Sequence, residues 1–398
     1  MKILIYEIRK NFIKPYLFVI LCLLTVINTV TIYDYYKENH VFSTEKTNRS
    51  IAFWNLYEGK FKGRITNEKI NALMEIYTPL YQLCAVERTF STEYDPETYT
   101  GYTFGDYRML DLGFVRPMEY SYMYRSQALE IADKAKENLE FFRTAGNVYQ
   151  YRSNLKIASL FGGRQITDFY HTEMYENLFR YDFSSFLILL MSILALVPVF
   201  VAEKETEMDL ILSTSKKGGK ETVNAKILSS FLYVIVISVW FYMVDFLAFS
   251  YFYGLTGLNN QLYALKDFML TPLNVKMWGF ILLSAAVKII GLLAVSSIIL
   301  FLSSIFRRAL LPYILSLGTV FLLMLVNEFT KVKFINPIEL IANREMFKNT
   351  DFINILGFPV HEFIVVILSV MLFAVAFVLA TKMIIKKNAC LSKVKESK

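Results

Sequence analysis

The residues best suited to chemistry in this sequence are charged side chains that lie beside, or within, long apolar runs. The most ordered group is residues 203–226, which opens with Glu203, Glu205 and Glu207 and closes with Lys226. Strong apolar runs precede and follow this segment. Charges held between two such runs can form ion pairs at the ends of helices or dock a soluble partner. We therefore treat residues 203–226 as the first candidate site.

The middle of this segment has the pattern of a short amphipathic helix. Leu210, Ile211 and Leu212 follow the acidic residues, which gives one apolar and one charged face. A basic turn comes next, with Lys216 and Lys217 before two glycines that end a helix. We expect this helix to press on a soluble protein. The alternative is a solvated loop that only joins two spans.

Sequence signatures of catalysis do not accompany these charges. Gly219 and Lys220 lack the upstream glycine and the following Ser or Thr of a nucleotide-binding loop. His361 and Glu362 are not followed by the second histidine of a zinc-protease helix, and no G-x-S-x-G is present. The three histidines are scattered without metal-ligand spacing. We therefore expect no enzymatic activity and no cofactor bound by this chain.

Composition places the chain in a membrane. The 398 residues are 55% hydrophobic, and the mean hydropathy is +0.39, which is unusual for a soluble domain of this length. The net charge of +7 comes from basic residues next to apolar runs, a pattern that fits anionic lipid better than nucleic acid. The three cysteines fall in three separate regions, so a disulfide framework is not expected.

The apolar runs predict six transmembrane helices, each about long enough to cross ~30 Å of hydrocarbon. The predicted spans are residues 15–33, 182–202, 227–253, 278–305, 309–328 and 362–385. Residues 1–14 precede them as an interfacial amphipathic helix, with Ile5, Ile8 and Phe12 at helical spacing. Residues 386–398 follow as a polar tail.

Two polar segments separate the spans on one side. Residues 34–181 are long enough for a core of their own, and we expect a mostly α domain with helices at 66–90 and 118–145. Turns and short strands are expected at 91–113, around Gly101 and Gly105. Residues 329–361 contain irregular proline and glycine patterns, which predict either an extracellular or a re-entrant segment.

The distribution of lysine and arginine sets the orientation. Residues 1–14, 203–226, 307–308 and 382–398 are rich in basic residues, whereas the short loops of the other side carry fewer. By the positive-inside rule, both termini and residues 203–226 are cytoplasmic, and residues 34–181 are extracellular. The fold class expected is therefore an all-α, multi-pass protein of the plasma membrane, with six spans and a mostly α extracellular domain after the first.

Asp245 and Lys288 are the clearest ionisable residues well inside the predicted spans. Each would cost roughly 2.5–3.5 kcal/mol at the bilayer centre if it were alone. Their depths differ by about one helical turn, within the reach of a lysine side chain. We expect them to face each other, either as an ion pair, as two walls of a polar path, or as a contact that only fixes packing.

Residues 203–226 resemble the loop between the second and third spans of ABC-2-type permeases, the membrane subunits of many ATP-driven exporters. The features shared are two acidic residues four apart, an apolar triplet followed by Ser, a basic glycine turn, and an Ala-Lys pair that opens the next span. In this chain they are Glu203 and Glu207, Leu210 to Ser213, Lys216 to Lys220, and Ala225-Lys226. The chain departs from the pattern at Met208-Asp209 and at Lys220.

The resemblance implies a permease that exports a peptide, drug or other amphipathic substrate. Its implied partners are a separate ATPase subunit, which would hold ATP and Mg²⁺, a second copy of this or a related permease, and the bilayer, with no nucleic acid. Two other classes stay open on the sequence alone. One is a membrane receptor with an extracellular ligand-binding domain, and the other is a channel or secondary transporter, although no internal repeat of the kind found in many transporters is evident.

Overall fold

A computed structural model describes residues 2–40, 48–88, 100–208, 219–329 and 334–396. Within these ranges, six helices are long and apolar enough to cross a membrane, as the sequence predicts. We call them TM1 to TM6. They are Pro15–Asn39, Phe183–Leu196 continued by Pro198–Glu205, Lys220–Tyr253, Met277–Ile305, Leu310–Phe329 and Glu362–Glu396. The chain is an all-α membrane protein.

Shorter elements fill the segments between the spans. The non-spanning helices are α1 Lys2–Asn11, α2 Asn48–Leu56, α3 Asn67–Tyr81, α4 Thr103–Leu110, α5 Arg116–Thr144, α6 Val148–Phe161, α7 Glu173–Arg180 and α8 Pro337–Ile341. Two antiparallel pairs of short strands complete the fold. These are β1 Gly63–Arg64 with β2 Asp168–Phe169, and β3 Phe352–Ile355 with β4 Phe358–His361.

TM2 and TM4 form the centre of the bundle. In the most apolar stretch of each span, 72% of the residues are buried in TM2 and 61% in TM4, against 17% in TM1, 17% in TM5 and 11% in TM6. TM1, TM5 and TM6 therefore lie at the periphery with broad apolar surfaces, as expected for helices whose solvent is lipid.

TM2 is interrupted at Pro198, and neighbouring spans compensate for the interruption. A proline has no N–H to donate to the carbonyl four residues earlier, which is that of Leu194. The hydroxyl of Tyr313 in TM5 donates to this carbonyl at 3.3 Å. Ser303 of TM4 donates to the carbonyl of Val197 at 2.7 Å and accepts from the amide of Phe200 at 3.2 Å. The break in TM2 is thus fixed by hydrogen bonds from TM4 and TM5.

Residues 34–181 contain the end of TM1 and a mostly helical domain, here called the inserted domain. Its core packs aromatic side chains such as Phe53, Tyr57, Phe61 and Phe114, all fully buried. The expected turns at 91–113 are wrong for residues 103–113, where α4 and a following π-helical turn form. The buried side chain of Asp106, within α4, accepts a hydrogen bond from the amide of Thr100 at 2.6 Å. This bond holds the chain just before α4 against the helix. Residues 89–99 lie outside the described residues.

The inserted domain sits on the segment between TM3 and TM4. Tyr120 donates to the carbonyl of Tyr263 at 2.8 Å, and Arg164 donates to the carbonyl of Thr271 at 2.8 Å. The domain also contacts the β3–β4 hairpin before TM6, where Lys156 donates to the carbonyl of Pro359 at 2.6 Å. We call this side of the bundle the domain end, and the side that carries residues 203–226 the loop end.

The segment before TM6 returns into the bundle. Helix α8 is buried and packs on Gly291, where an added Cβ would lie 2.8 Å from the carbonyl oxygen of Pro337. Gly291 lies fourteen residues into TM4, or ~21 Å along the helix. Asn336 anchors the start of α8 by donating to the carbonyl of Leu323 in TM5 at 2.8 Å. Helix α8 therefore packs about halfway along TM4, and the β3–β4 hairpin follows it at the domain end.

Candidate functional site

The two ends of the 203–226 loop are joined by a buried ion pair. Glu203 lies in the last turn of TM2 and Lys226 in the second turn of TM3, with exposures of 8% and 2%. Their charged groups are in direct contact. Lys226 also donates to the carbonyl of Val199 at 3.1 Å. A buried lysine is tolerated only with such partners, so this pair fixes the distance between TM2 and TM3 where the loop begins.

Helix α1 adds a second carboxylate and a second ammonium group. Lys10 pairs with Glu203, and the carboxylate of buried Glu7 accepts from Asn11 at 2.9 Å. Burial raises the pKa of Glu7, and the nearby charges of Lys226 and Lys10 offset part of that rise. Burial alone would lower the pKa of Lys10, but the hydrogen bond and charge of Glu203 outweigh it and raise this pKa. We call Glu7, Lys10, Glu203 and Lys226 the loop-end cluster.

Helix α1 buries polar as well as apolar residues against the bundle. Phe12 is buried and stacks on Tyr233 with ring centroids 4.7 Å apart, but Ile5 is 46% exposed. Glu7 and Asn11 occupy the buried face instead. The reason is electrostatic, because the partners that Glu7 and Lys10 require lie on TM2 and TM3. The exposed Ile5 remains available to lipid.

Two further residues at the end of TM2 reach TM4 and TM5. Lys204 donates to the carbonyls of Ser304 and Phe306. Carbonyls at the C-terminal end of a helix such as TM4 have no hydrogen-bond donor within the helix, so the lysine supplies one. Glu205 accepts from the amide of Ala309 at 2.8 Å, next to the first turn of TM5. Glu203, Lys204 and Glu205 therefore connect one end of TM2 to α1, TM3, TM4 and TM5. A displacement of this end would be transmitted to all four elements.

The remaining residues of the predicted coupling site are less constrained. Glu207 is exposed and has a positive φ of 55°, so the chain turns sharply there. Leu210, Ile211, Leu212, Lys216 and Lys217 lie outside the described residues, and the predicted amphipathic helix remains a prediction.

Asp245 and Lys288 line one cavity near the domain end, but their hydrogen bonds go to other residues. Lys288 pairs with Asp182 at the start of TM2, with 2.7 Å between Nζ and Oδ1. Asp245 accepts from Asn28 of TM1 at 2.6 Å. Tyr181 extends this network by donating to Oδ1 of Asn28 at 2.8 Å. The structure thus gives each charge its own partner instead of pairing the two.

The cavity is small. Its volume is about 50 Å³, and Tyr181, Tyr242 and Ser284 complete its polar lining. Pockets for drug-sized ligands are about 300–1,000 Å³, whereas this one has room for only about three or four water molecules. The site is a small polar junction between the segment before TM2, TM3 and TM4, and an amphipathic substrate does not fit.

Sequence reasoning missed several members of both sites. Asp182, directly before TM2, makes no capping hydrogen bond with its side chain and binds Lys288 instead. Asn28 gave a usable signal, a lone amide inside an apolar run. In the sequence, Lys10 is one of several basic residues of 1–14 and Glu7 gives no separate signal, because the pairing of both depends on how α1 crosses TM3. Within the described ranges, no group of His, Cys, Asp and Glu is arranged to hold a metal ion.

Comparisons of the chain with protein-family models, with curated proteins and with solved structures gave no match. The geometry of the six spans, the inserted domain and the loop-end cluster is therefore the basis for assigning a function.

Proposed function

We propose that this chain is the membrane-spanning permease subunit of an ATP-driven exporter of the ABC-2 type. A separate ATPase docks on residues 203–226 from the cytoplasm, binds ATP and Mg²⁺, and drives the movement of the spans. A second copy of this or a related permease completes the pathway across the plasma membrane. The substrate class is a peptide, drug or other amphipathic molecule.

The buried contact between Glu203 and Lys226 is the observation that supports this proposal best. A loop that only connects two spans does not need a desolvated ion pair at its base, and such pairs rarely add net stability. A loop that receives force does need a rigid base. The contacts of Lys204 and Glu205 with TM4 and TM5 extend that base to the centre of the bundle.

The orientation is part of the proposal. Both termini and the loop end face the cytoplasm, and the inserted domain is extracellular. Its contacts with the TM3–TM4 segment and with the β3–β4 hairpin give it two attachments to the bundle. In this position the domain meets substrate as it leaves or approaches the outer face, and it determines which molecules are handled.

The proposal is tested by co-expression with the ATP-binding-cassette ATPase encoded nearest to the gene for this chain. We expect the ATPase to be retained when the permease is purified through an affinity tag, and its ATP hydrolysis to increase in proteoliposomes. Retention of a kinase or cyclase in place of an ATPase would contradict the proposal and favour a receptor.

A further inference from the structure

The β3–β4 hairpin carries an exposed apolar tip. Leu356 is 95% exposed, and the flanking Phe358 and Ile355 are 57% and 42% exposed. Ile355 and Phe358 are directly opposite each other in the strand register, so their side chains share one face of the hairpin. Three large apolar side chains therefore project from a two-residue turn.

The backbone at the tip disfavours leucine. Leu356 has a φ of 51° and Gly357 a φ of 83°, as two-residue hairpin turns of the primed types require at one or both central positions. Asn, Asp or Gly is preferred where φ is positive, and a bulky residue there is strained. Leucine at position 356 is thus unfavourable in two ways: its apolar side chain is exposed, and its backbone has a positive φ. A strained and exposed apolar side chain indicates an interaction at the tip.

The hairpin directly precedes TM6 in the chain. Strand β4 ends at His361 and TM6 begins at Glu362, whose amide donates to the carbonyl of Asp351 at the base of the hairpin at 3.0 Å. Strands of four residues rise about 13 Å, so the tip cannot be far from the end of TM6. Along TM6, Leu368 and Leu372 are exposed and apolar. Apolar side chains are thus exposed both at the tip and along the first part of TM6.

Basic side chains flank the tip. The guanidinium of Arg152 lies 4.0 Å from the ring centroid of Phe358 and donates to the carbonyl of Gly357 at 3.1 Å. Lys156 donates to the carbonyl of Pro359 at 2.6 Å. Aromatic and aliphatic side chains next to Arg and Lys are the combination that binds the interface between head groups and acyl chains.

We propose that the hairpin tip, Ile355 to Phe358, inserts into the lipid leaflet on the domain side and anchors the domain end of TM6. Helix α6 holds the hairpin through Tyr149, Arg152 and Lys156, which bond to the carbonyls of Phe352, Gly357 and Pro359. The same anchor therefore fixes the height of the inserted domain above the bilayer. This inference requires only that TM6 spans a membrane, and it is independent of the proposed transport function.

The test places an environment-sensitive NBD fluorophore at Ile355→Cys in the full chain, with Cys22, Cys84 and Cys390 replaced by alanine. The protein is reconstituted in phosphatidylcholine–phosphatidylglycerol vesicles with or without nitroxide-labelled acyl chains. We expect blue-shifted emission, quenching by the nitroxide lipid, and protection from aqueous iodide. A label at Lys136→Cys, on the exposed side of α5, is the water-facing control.

The matched variant is Leu356→Asn. Asparagine before glycine suits a turn with positive φ, so the hairpin should fold at least as well and the thermal midpoint in detergent should not fall. We expect the lipid quenching at position 355 to be lost nevertheless. Iodide quenching equal to that of the control site would overturn the proposal. Protection from both quenchers would also overturn it, because another protein, such as a second copy of this chain, would then cover the tip. Unchanged lipid quenching in Leu356→Asn would overturn the assignment of Leu356 as the anchor.

Discussion

Lys226 is the residue on which the geometry of the loop end depends most. Its side chain is almost fully desolvated and its three kinds of partner are all on TM2: the carboxylate of Glu203, the carbonyl of Val199 and the ring of Phe200. A lysine in this position is stable only while these groups surround it. Its removal leaves Glu203 buried with Lys10 as its remaining partner.

We therefore expect Lys226→Met to lower the free energy of unfolding by about 3 kcal/mol, because removal of one member of a buried pair costs about 3–5 kcal/mol and Lys10 retains part of the compensation. The measurement is the thermal midpoint of the purified protein in detergent. The double variant Lys226→Met with Glu203→Gln should recover most of the loss. Lys220→Met, an exposed change in the first turn of the same helix, is the control, and an equal loss in this control would contradict the account.

At the domain end, Lys288 is expected to couple with Asp182 and not with Asp245. A double-mutant cycle with Asp182→Asn and Lys288→Met should give an interaction energy of about 1 kcal/mol, since the Asp182 side chain is partly exposed and its charge is screened. The cycle with Asp245→Asn should give a smaller value. Thermal midpoints of the single and double variants supply both cycles, and a larger coupling to Asp245 would show that Lys288 pairs with it in the membrane.

The charged residues could be found from the sequence, but their partners could not. Glu203 and Lys226 stand at the ends of apolar runs, and Asp245 and Lys288 interrupt such runs, so each gives a local signal. Which carboxylate meets which lysine depends on the rotation and crossing of helices that are distant along the chain. Depth judged from where each apolar run begins places Asp182 at the surface and Lys288 about three turns into TM4, so that argument selected Asp245 and missed Asp182.

At the scale of elements, hydropathy predicted all six spans because each must bury its backbone polar groups in a helix and its side chains in lipid or protein. The boundaries differ where a helix continues into water or into the inserted domain. TM1 runs to Asn39, past the predicted end at residue 33, and TM3 starts at Lys220 instead of residue 227. The residue composition changes at the end of an apolar run, but the helical hydrogen bonds continue beyond it.

Helix α8 depends on a close approach to TM4 that only glycine allows. At Gly291, an added Cβ would lie 2.8 Å from the carbonyl oxygen of Pro337, and 3.0 Å or less from side-chain atoms of Leu340 and Ile341. This contact was not predictable, because a glycine in an apolar helix does not reveal which backbone approaches it.

We expect Gly291→Ala to lower the free energy of unfolding by about 1–3 kcal/mol, the usual cost of overpacking. Gly279→Ala in the same helix is the control, since its nearest new contact would be an ordinary 3.8 Å to Val275, and the higher helix propensity of alanine should leave it neutral or slightly stabilising. Thermal unfolding in detergent compares the two. If both variants behave alike, the packing of α8 on TM4 is not as close as described.

At the scale of the whole molecule, two ends of one bundle carry different polar systems. The loop-end cluster joins α1 and TM3 to TM2, and Lys204 and Glu205 join TM4 and TM5 to the same helix. At the domain end, TM2 meets TM4 through Asp182 and Lys288. TM2 is thus the helix shared by both ends, and its contacts connect the base of residues 203–226 to the polar junction at the domain end.

The central claim is that a separate ATPase binds the 203–226 loop. The affinity of that ATPase for the reconstituted permease tests this claim most directly. Leu210→Asp with Leu212→Asp replaces two apolar anchors by charges, so we expect a loss of at least ~2 kcal/mol, about 30-fold in Kd. Glu207→Gln is the control within the loop, and the thermal midpoint of each permease verifies its fold. The account predicts loss of ATPase binding and export in the double variant alone, with an unchanged midpoint. Undiminished binding and export in a folded double variant would contradict it.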